Sequence, residues 1–131
     1  MNQTERIKNI KCFLFDMDGT INLGDEIIPS MVGFFDKLTA AGRKYYLLTN
    51  NSSRSHEHYV EKMKRLGVPV TRNEVLISTD AFTNWMQKKK PHAKLFVLGT
   101  PQLLKIIAEA GFTLTNTLEE ETDYVVVGFD Q

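Results

Sequence analysis

An apolar run that ends in two carboxylates constrains the fold of this chain more than any other feature. Residues 12–15 read Cys-Phe-Leu-Phe without alternation of apolar and polar side chains, and Asp16 and Asp18 follow with one residue between them. A strand without alternation is typical of a parallel sheet that is covered on both faces. We therefore predict an α/β fold with a buried parallel strand near residues 11–16, and we place Cys12 in the core.

The two carboxylates lie where open α/β sheets bind ligands, just beyond the carboxyl end of a strand. If the extended geometry persists, Asp16 and Asp18 point to the same side. Because converging carboxylates repel each other, they favour a cation between them or a proton on one of them. Mg²⁺ prefers such oxygen ligands, and a carboxylate can also attack phosphorus. The alternative is a plain turn, since Asp18-Gly19 is a common turn signal.

Small hydrogen-bonding side chains follow the second predicted strand. Residues 45–48 are largely apolar and lead into the run Thr-Asn-Asn-Ser-Ser at 49–53. We predict that a helix begins near Ser53, and the free backbone N–H groups at a helix N-terminus attract phosphate. The cluster is either a helix cap without a ligand or a phosphate site, and local chemistry leaves the two even. The predicted neighbouring strand with Asp16 favours the site.

Together the two motifs resemble the haloacid dehalogenase (HAD) superfamily. Phe-Asp-Met-Asp-Gly-Thr at 15–20 matches its first motif, and Leu-Leu-Thr-Asn-Asn-Ser-Ser at 47–53 resembles the second motif of its class IIA branch, which contains NagD-like, p-nitrophenylphosphatase-like and pyridoxal-phosphatase-like enzymes. The resemblance implies a HAD-like Rossmannoid parallel sheet with an incomplete core, followed by the first half of an inserted α/β cap domain. It assigns residues 1–80 to the core and residues 81–131 to the cap. Residues 19–29 are expected to form a loop or small hairpin.

The resemblance also implies a reaction. A small phosphomonoester would be hydrolysed through an aspartyl-phosphate on Asp16, with Asp18 as general acid and base and both aspartates at Mg²⁺. Thr49 would contact the phosphoryl oxygens, and Asn50 and Asn51 would line the substrate. The alternatives are a phosphotransferase or mutase on the same scaffold, and a non-catalytic remnant that binds a partner.

Two further motifs of HAD phosphatases, a lysine and one or two acidic residues, follow the cap in class IIA proteins and have no counterpart in these 131 residues. We therefore expect an N-terminal fragment that is a poor catalyst when alone. The strand with Asp16 is expected to have an unpaired edge, which favours self-association or complementation by the missing C-terminal part.

Composition excludes several classes of protein. The chain is 42% apolar and 24% charged with a formal net charge of zero, so no bulk field favours nucleic acid or membrane as a partner. One cysteine permits no intrachain disulfide, and no apolar stretch approaches the length of a membrane span. A cytoplasmic location is the default expectation. No other metal-ligating side chains lie at a suitable spacing from the three histidines. We therefore expect His56, His58 and His92 at the surface.

The rest of the chain is predicted to alternate helices and strands. One helix is expected over residues 30–41 with Ser30 as N-cap, and another begins at Ser78 or Thr79 with Trp85 in its buried face. The other expected elements are a helix from Ser53 to Leu66, strands at 75–77, 95–98 and 124–129, a helix that Thr100 and Pro101 begin, and a solvated turn or helix start at Glu119, Glu120 and Glu121.

Overall fold

The computed structural model describes residues 3–117 and 121–128 of the chain. The predicted α/β class is confirmed, because helices alternate with the strands of two three-stranded sheets that contain parallel pairs. The chain divides into two compact units, of which the first comprises Met1–Thr49 and His56–Leu76 and the second comprises Asn50–Ser55 and Ile77–Gln131. The assignment of residues 1–80 to a core and 81–131 to a cap stays a prediction.

The first unit is built around a parallel pair of strands. Its elements are α1 (Gln3–Lys8), β1 (Cys12–Asp16), β2 (Asn22–Leu23), β3 (Glu26–Ile27), α2 (Phe34–Ala40), β4 (Lys44–Thr49), α3 (His56–Arg65) and the start of β5 (Val75–Ile77). β4 lies between β1 and β5 in the sheet, and β1 pairs with β4 in parallel. β2 and β3 form a short antiparallel hairpin, which confirms the expectation for residues 19–29.

β1 is an edge strand that is covered on one face. Phe15 packs its ring against Phe34 and Phe35, at centroid distances of 5.8 and 5.4 Å. On the other face Leu14 is 63% exposed, and Cys12 is exposed as well. The expectations of a strand buried on both faces and of Cys12 in the core are therefore wrong, because the described residues leave the face of β1 with Cys12 and Leu14 uncovered. Within the described residues β1 has β4 as its single neighbour in the sheet. The unpaired edge expected for this strand is present.

The helix expected over residues 30–41 is divided by a glycine. Pro29–Met31 form a single 3₁₀ turn, and α2 begins only after Gly33, which occupies the N-cap position with a φ of 66°. Glycine adopts this left-handed conformation without steric cost. Ser30 is therefore not the N-cap of α2, although the apolar periodicity runs through both segments.

The second unit contains a parallel sheet with helices packed against it. Its elements are α4 (Ser78–Lys89), β6 (Lys94–Leu98), α5 (Pro101–Glu109), β7 (Thr113–Thr115) and β8 (Tyr124–Val127), and β6 lies between β7 and β8. The short strand β7 was not predicted, because three residues of alternating threonine and leucine carry little periodic signal. The strand predicted at 124–129 ends at Val127 in the described part of the chain, and Phe129, Glu119 and Glu120 lie outside it.

The helix starts of the second unit differ in how well their caps were predicted. Thr100 caps α5 as expected, since its Oγ1 accepts a hydrogen bond from the Leu103 N–H at 3.3 Å. α4 is capped differently, because the Ile77 N–H donates to Oδ2 of Asp80 at 2.9 Å and neither Ser78 nor Thr79 occupies the N-cap. An acidic side chain in the first turn also suits the helix dipole.

The core of the second unit excludes the tryptophan that was expected in it. Trp85 is 51% exposed, and Lys89 places its Nζ 4.6 Å from the centre of its ring. The buried face of α4 instead runs through Thr79 and Met86, two turns apart on the same side of the helix. The core cluster consists of Met86, Ala93, Leu95, Leu103, Ile107 and Phe112.

No helix in the described ranges is both long enough and apolar enough to cross a membrane.

Candidate active site

The carboxyl ends of β1 and β4 lie side by side. Asp16, the last residue of β1, is paired with Leu48, and the Met17 N–H donates to the Leu48 carbonyl at 3.1 Å. Thr49 is the next residue along β4 and is 6% exposed, whereas Asp16 is exposed. Because the strands run parallel, the structure brings the first residues of both predicted motifs to the same edge of one sheet.

A tight turn after β1 presents the second aspartate. The Met17 carbonyl accepts hydrogen bonds from the N–H groups of residues 20–22 at 2.8–3.2 Å, and the Gly19 N–H donates to the Asn22 carbonyl at 2.8 Å. Gly19 has a φ of 84°, a conformation that side chains with a Cβ rarely adopt. Met17 and Ile21 are buried and anchor the turn. The exposed side chain of Asp18 is thus carried by a segment with little freedom.

Two side chains that the sequence did not single out contact Asp18. Asn22 donates from Nδ2 to Oδ1 of Asp18 at 3.0 Å, and Lys62 places Nζ 3.3 Å from the same oxygen. Asn22 is completely buried, and the side chain of Lys62 is only 12% exposed. Asn22 lies in a polar turn and resembled an ordinary loop residue, while no local pattern relates Lys62 on α3 to a loop after β1.

Asn50 and Asn51 belong to the loop that follows β4. The Ser53 N–H donates to Oδ1 of Asn51 at 2.9 Å, and the Ser78 hydroxyl donates to the Asn50 carbonyl at 3.1 Å. The predicted helix begins only at His56, after this turn, and not near Ser53. The first of these contacts is the kind of local side-chain to backbone bond by which asparagine favours turns over helices. That Asn50 and Asn51 line a substrate stays a prediction.

The histidines divide into two environments. His58 and His92 are exposed as expected, but His56 is 6% exposed, so the surface prediction for it is wrong. His56 begins α3 on the same buried face as Tyr59 and Met63. Across the described ranges no three His, Cys, Asp or Glu side chains are grouped so that they could hold a metal ion.

The oxygen atoms at this edge suit a hard divalent cation. Asp16 and Asp18 are both exposed carboxylates that follow one strand end, and Mg²⁺ is often held by one or two carboxylates together with water and substrate phosphate. The donor set therefore fits Mg²⁺, with Asp16 and Asp18 as the residues that would hold it.

The chain belongs to the haloacid dehalogenase-like hydrolases, since residues 13–113 match the model of that family. It is 32% identical over 125 residues to the acid sugar phosphatase of Staphylococcus aureus (strain USA300), an alignment that covers 95% of this chain and 48% of that protein. These findings confirm the family that the two motifs predicted. The chain spans about half the length of the curated relatives it matches.

Solved structures show the same fold. A 4-nitrophenylphosphatase from Thermotoga maritima superimposes with a TM-score of 0.86 at 35% identity, over 95% of this chain and 47% of that one. A glycerol phosphate phosphatase from Mycobacterium tuberculosis, solved in complex with magnesium, gives a TM-score of 0.79 at 26% identity, over 92% and 36% of the two chains. The HAD-like fold is thereby confirmed, and the likeness to a 4-nitrophenylphosphatase supports the class IIA branch.

Proposed function

We propose that this chain carries the nucleophile of a Mg²⁺-dependent phosphatase that hydrolyses a small phosphomonoester. The observation that supports this most is the placement of Asp16 at the end of β1, with Thr49 at the end of the adjacent parallel strand and Asp18 in the rigid turn that follows. The names of the relatives, an acid sugar phosphatase and a 4-nitrophenylphosphatase, support the same reaction class.

The proposed reaction has two steps at one carboxylate. An Asp16 oxygen attacks phosphorus, the bond from phosphorus to the ester oxygen breaks, and Asp18 gives that oxygen a proton. Asp18 then accepts a proton from water, which attacks phosphorus and releases inorganic phosphate from Asp16. When bound, Mg²⁺ would offset the negative charge that gathers on the phosphoryl group.

The resemblance assigns roles to the residues of the second motif, and the position of Thr49 supports its role. The Thr49 hydroxyl lies on a buried side chain at the sheet edge and would donate to a phosphoryl oxygen. Asn50 and Asn51 continue the chain from Thr49 and would line the substrate. A small phosphorylated metabolite is the proposed substrate, in keeping with the sugar and glycerol phosphates named for two relatives.

The 131-residue chain is expected to turn over slowly when alone. The chain spans about half the length of the curated relatives it matches, and each charge that a phosphoryl site lacks costs about 3 kcal/mol of transition-state stabilisation. A second candidate function is a partner-binding chain without catalysis. It is favoured by the edge of β1, which is unpaired among the described residues, and by the exposed Leu14.

The test is Mg²⁺-dependent hydrolysis of p-nitrophenyl phosphate by the purified chain, beside Asp16→Asn, with an intact mass of each sample. Asp36→Asn, at an exposed aspartate on α2, is the matched control. Slow hydrolysis that is lost in Asp16→Asn and kept in Asp36→Asn is expected. Equal activity of the two variants would overturn the assignment of the nucleophile, and the absence of hydrolysis by the unmodified chain would favour the partner-binding chain.

A further inference from the structure

The carboxylate of Asp18 is held through one oxygen and left open at the other. Its Oδ1 accepts from Asn22 Nδ2 at 3.0 Å and lies 3.3 Å from Lys62 Nζ, whereas Oδ2 accepts nothing from the described residues. We propose that Asn22 and Lys62 are positioning residues that fix the orientation of the Asp18 carboxylate, so that Oδ2 is the oxygen presented to ester and water. This inference rests on the proposed phosphatase function and adds to it two residues from outside both sequence motifs.

Asn22 is suited to this task by a defined orientation. Its Nδ2 donates both to Asp18 Oδ1 and to the Gly24 carbonyl, at 3.0 and 2.8 Å, and both partners are acceptors. If the amide group were rotated by 180°, its oxygen would face two acceptor oxygens. The two hydrogen bonds therefore identify the atom that contacts Asp18 and Gly24 as the amide nitrogen. The two bonds tie the Asp18 carboxylate to the start of the hairpin formed by β2 and β3.

The oxygen atom of the Asn22 amide indicates that packing alone does not explain an asparagine at this position. Its Oδ1 is buried and has no donor among the described residues. A buried acceptor without a donor is unfavourable, and an apolar side chain could fill the same volume without that cost. The contact that the amide makes with Asp18 is therefore the feature that a substitution would lose.

Lys62 contributes a charge from a different element. It lies on α3 with its side chain 12% exposed, and its ammonium group meets the carboxylate of Asp18, which is 52% exposed. A charged group on a side chain that is largely buried is stabilised by a partner of opposite charge. Lys64, on the same helix, is exposed and provides a matched comparison. With two donors on Oδ1, rotation of the carboxylate is restricted, and Oδ2 is the oxygen without a donor among the described residues.

The leaving group of the substrate tests this role directly. p-Nitrophenolate leaves without protonation, whereas an alkoxide needs a proton from the general acid, and kcat/KM reports the steps up to its departure. Asn22→Ala and Lys62→Met are expected to lose on the order of tenfold more kcat/KM on glycerol phosphate than on p-nitrophenyl phosphate. Lys62→Arg should recover part of the loss. Asn84→Ala and Lys64→Met, at exposed positions, are the controls. They should change kcat/KM only slightly, and by the same factor for the two esters.

An equal loss on both esters in Asn22→Ala and Lys62→Met would mean a merely structural role and would overturn the proposal. A second measurement does not need activity. In NMR spectra of the labelled chain, the Asn22 side-chain amide protons should exchange slowly with water, and Asp18→Ala should shift them while Asp36→Ala does not. If the unmodified chain hydrolyses neither ester, the proposed function fails, but the NMR result still decides the contact. Amide signals that are indifferent to Asp18→Ala would overturn it.

Discussion

Asp16 and Leu48 are paired in parallel register across β1 and β4, so Asp16 and Thr49 end adjacent strands at one edge of the sheet. The two motifs are separated by a helix and a hairpin in the chain, and this register is what brings their first residues together. A carboxylate that attacks phosphorus and a hydroxyl that binds a phosphoryl oxygen must reach the same phosphoryl group. The pairing of Asp16 with Leu48 therefore underlies the whole proposed site.

Thr49→Val should impair catalysis more than folding. The substitution keeps the shape of a buried side chain and removes its hydroxyl, and a hydrogen bond to a charged group is worth about 1.5–3 kcal/mol. We expect kcat/KM for p-nitrophenyl phosphate to fall by about tenfold or more, at an unchanged circular dichroism spectrum. Thr113→Val, at an exposed position of β7, is the control. Full activity in Thr49→Val would show that the hydroxyl does not contact the phosphoryl group.

Chelation of divalent ions should abolish hydrolysis without unfolding the chain. Asp16 and Asp18 are exposed carboxylates at a strand end, whereas Phe15 makes the ring contacts of β1 with α2. Hydrolysis and the melting curve would be measured with excess chelator and again after Mg²⁺ is restored. Activity that survives chelation would contradict the proposed Mg²⁺ site, and loss of the folded signal would point to a structural metal instead.

Ile107→Ala should destabilise the second unit strongly. Ile107 is completely buried in its core, and such a truncation costs about 2–5 kcal/mol. Ile106→Ala, on the adjacent and partly exposed position of α5, should cost clearly less. Urea denaturation of both variants measures the difference. Equal free energies of unfolding for the two variants would contradict the packing described for α5.

Leu14→Lys should reduce any self-association of the chain. Leu14 is 63% exposed on the edge strand β1, and a charged side chain on such an edge discourages pairing with another sheet. Sedimentation of the unmodified chain and the variant at several concentrations gives the comparison. Leu23→Lys, in the hairpin and 67% exposed, is the control. If both variants associate as the unmodified chain does, the edge of β1 is not the contact.

A capping box between Thr71 and Glu74, at the 3₁₀ turn Arg72–Glu74 that precedes β5, should make stability depend on pH. The hydroxyl hydrogen bond from Thr71 at 2.6 Å, together with its backbone N–H, holds the pKa of Glu74 below its ordinary value of 4.5. A carboxyl whose pKa is lowered by folding adds stability above its unfolded pKa, and this is lost as the pH falls through the folded value. The urea concentration at the midpoint of unfolding should therefore decrease as the pH is lowered from the ordinary pKa of Glu74 to its lowered pKa in the folded chain.

Glu74→Gln removes the titrating group and should flatten that part of the profile, whereas Glu61→Gln, on α3, should leave it unchanged. If the urea midpoint of Glu74→Gln decreased as steeply at acidic pH as that of the unmodified chain, the pH dependence would belong to other carboxyl groups.

The sequence located features that depend on neighbouring residues. The end of β1 at Asp16, the end of β4 at Thr49 and the cap at Thr100 all follow from short local patterns, and the structure has them. The resemblance to the HAD superfamily gave the family correctly.

What the sequence could not give is which face of each element another layer covers. Trp85 and Cys12 are apolar but exposed, and His56 is polar but buried, because burial depends on what packs against each position. Lys62 reaches Asp18 from a helix distant in the chain, and no spacing rule relates the two. Contacts of this kind are tertiary, and they were the ones that sequence reasoning missed.

The most direct test of the account is to trap the acyl phosphate. Borohydride reduces an aspartyl-phosphate to homoserine, which peptide mass spectrometry identifies at its position in the chain. With substrate and Mg²⁺ present, we predict homoserine at residue 16, none at residue 18, and none in samples without substrate. Hydrolysis that proceeds with Asp16 unmodified, or homoserine at any other aspartate, would contradict the claim that Asp16 is the nucleophile.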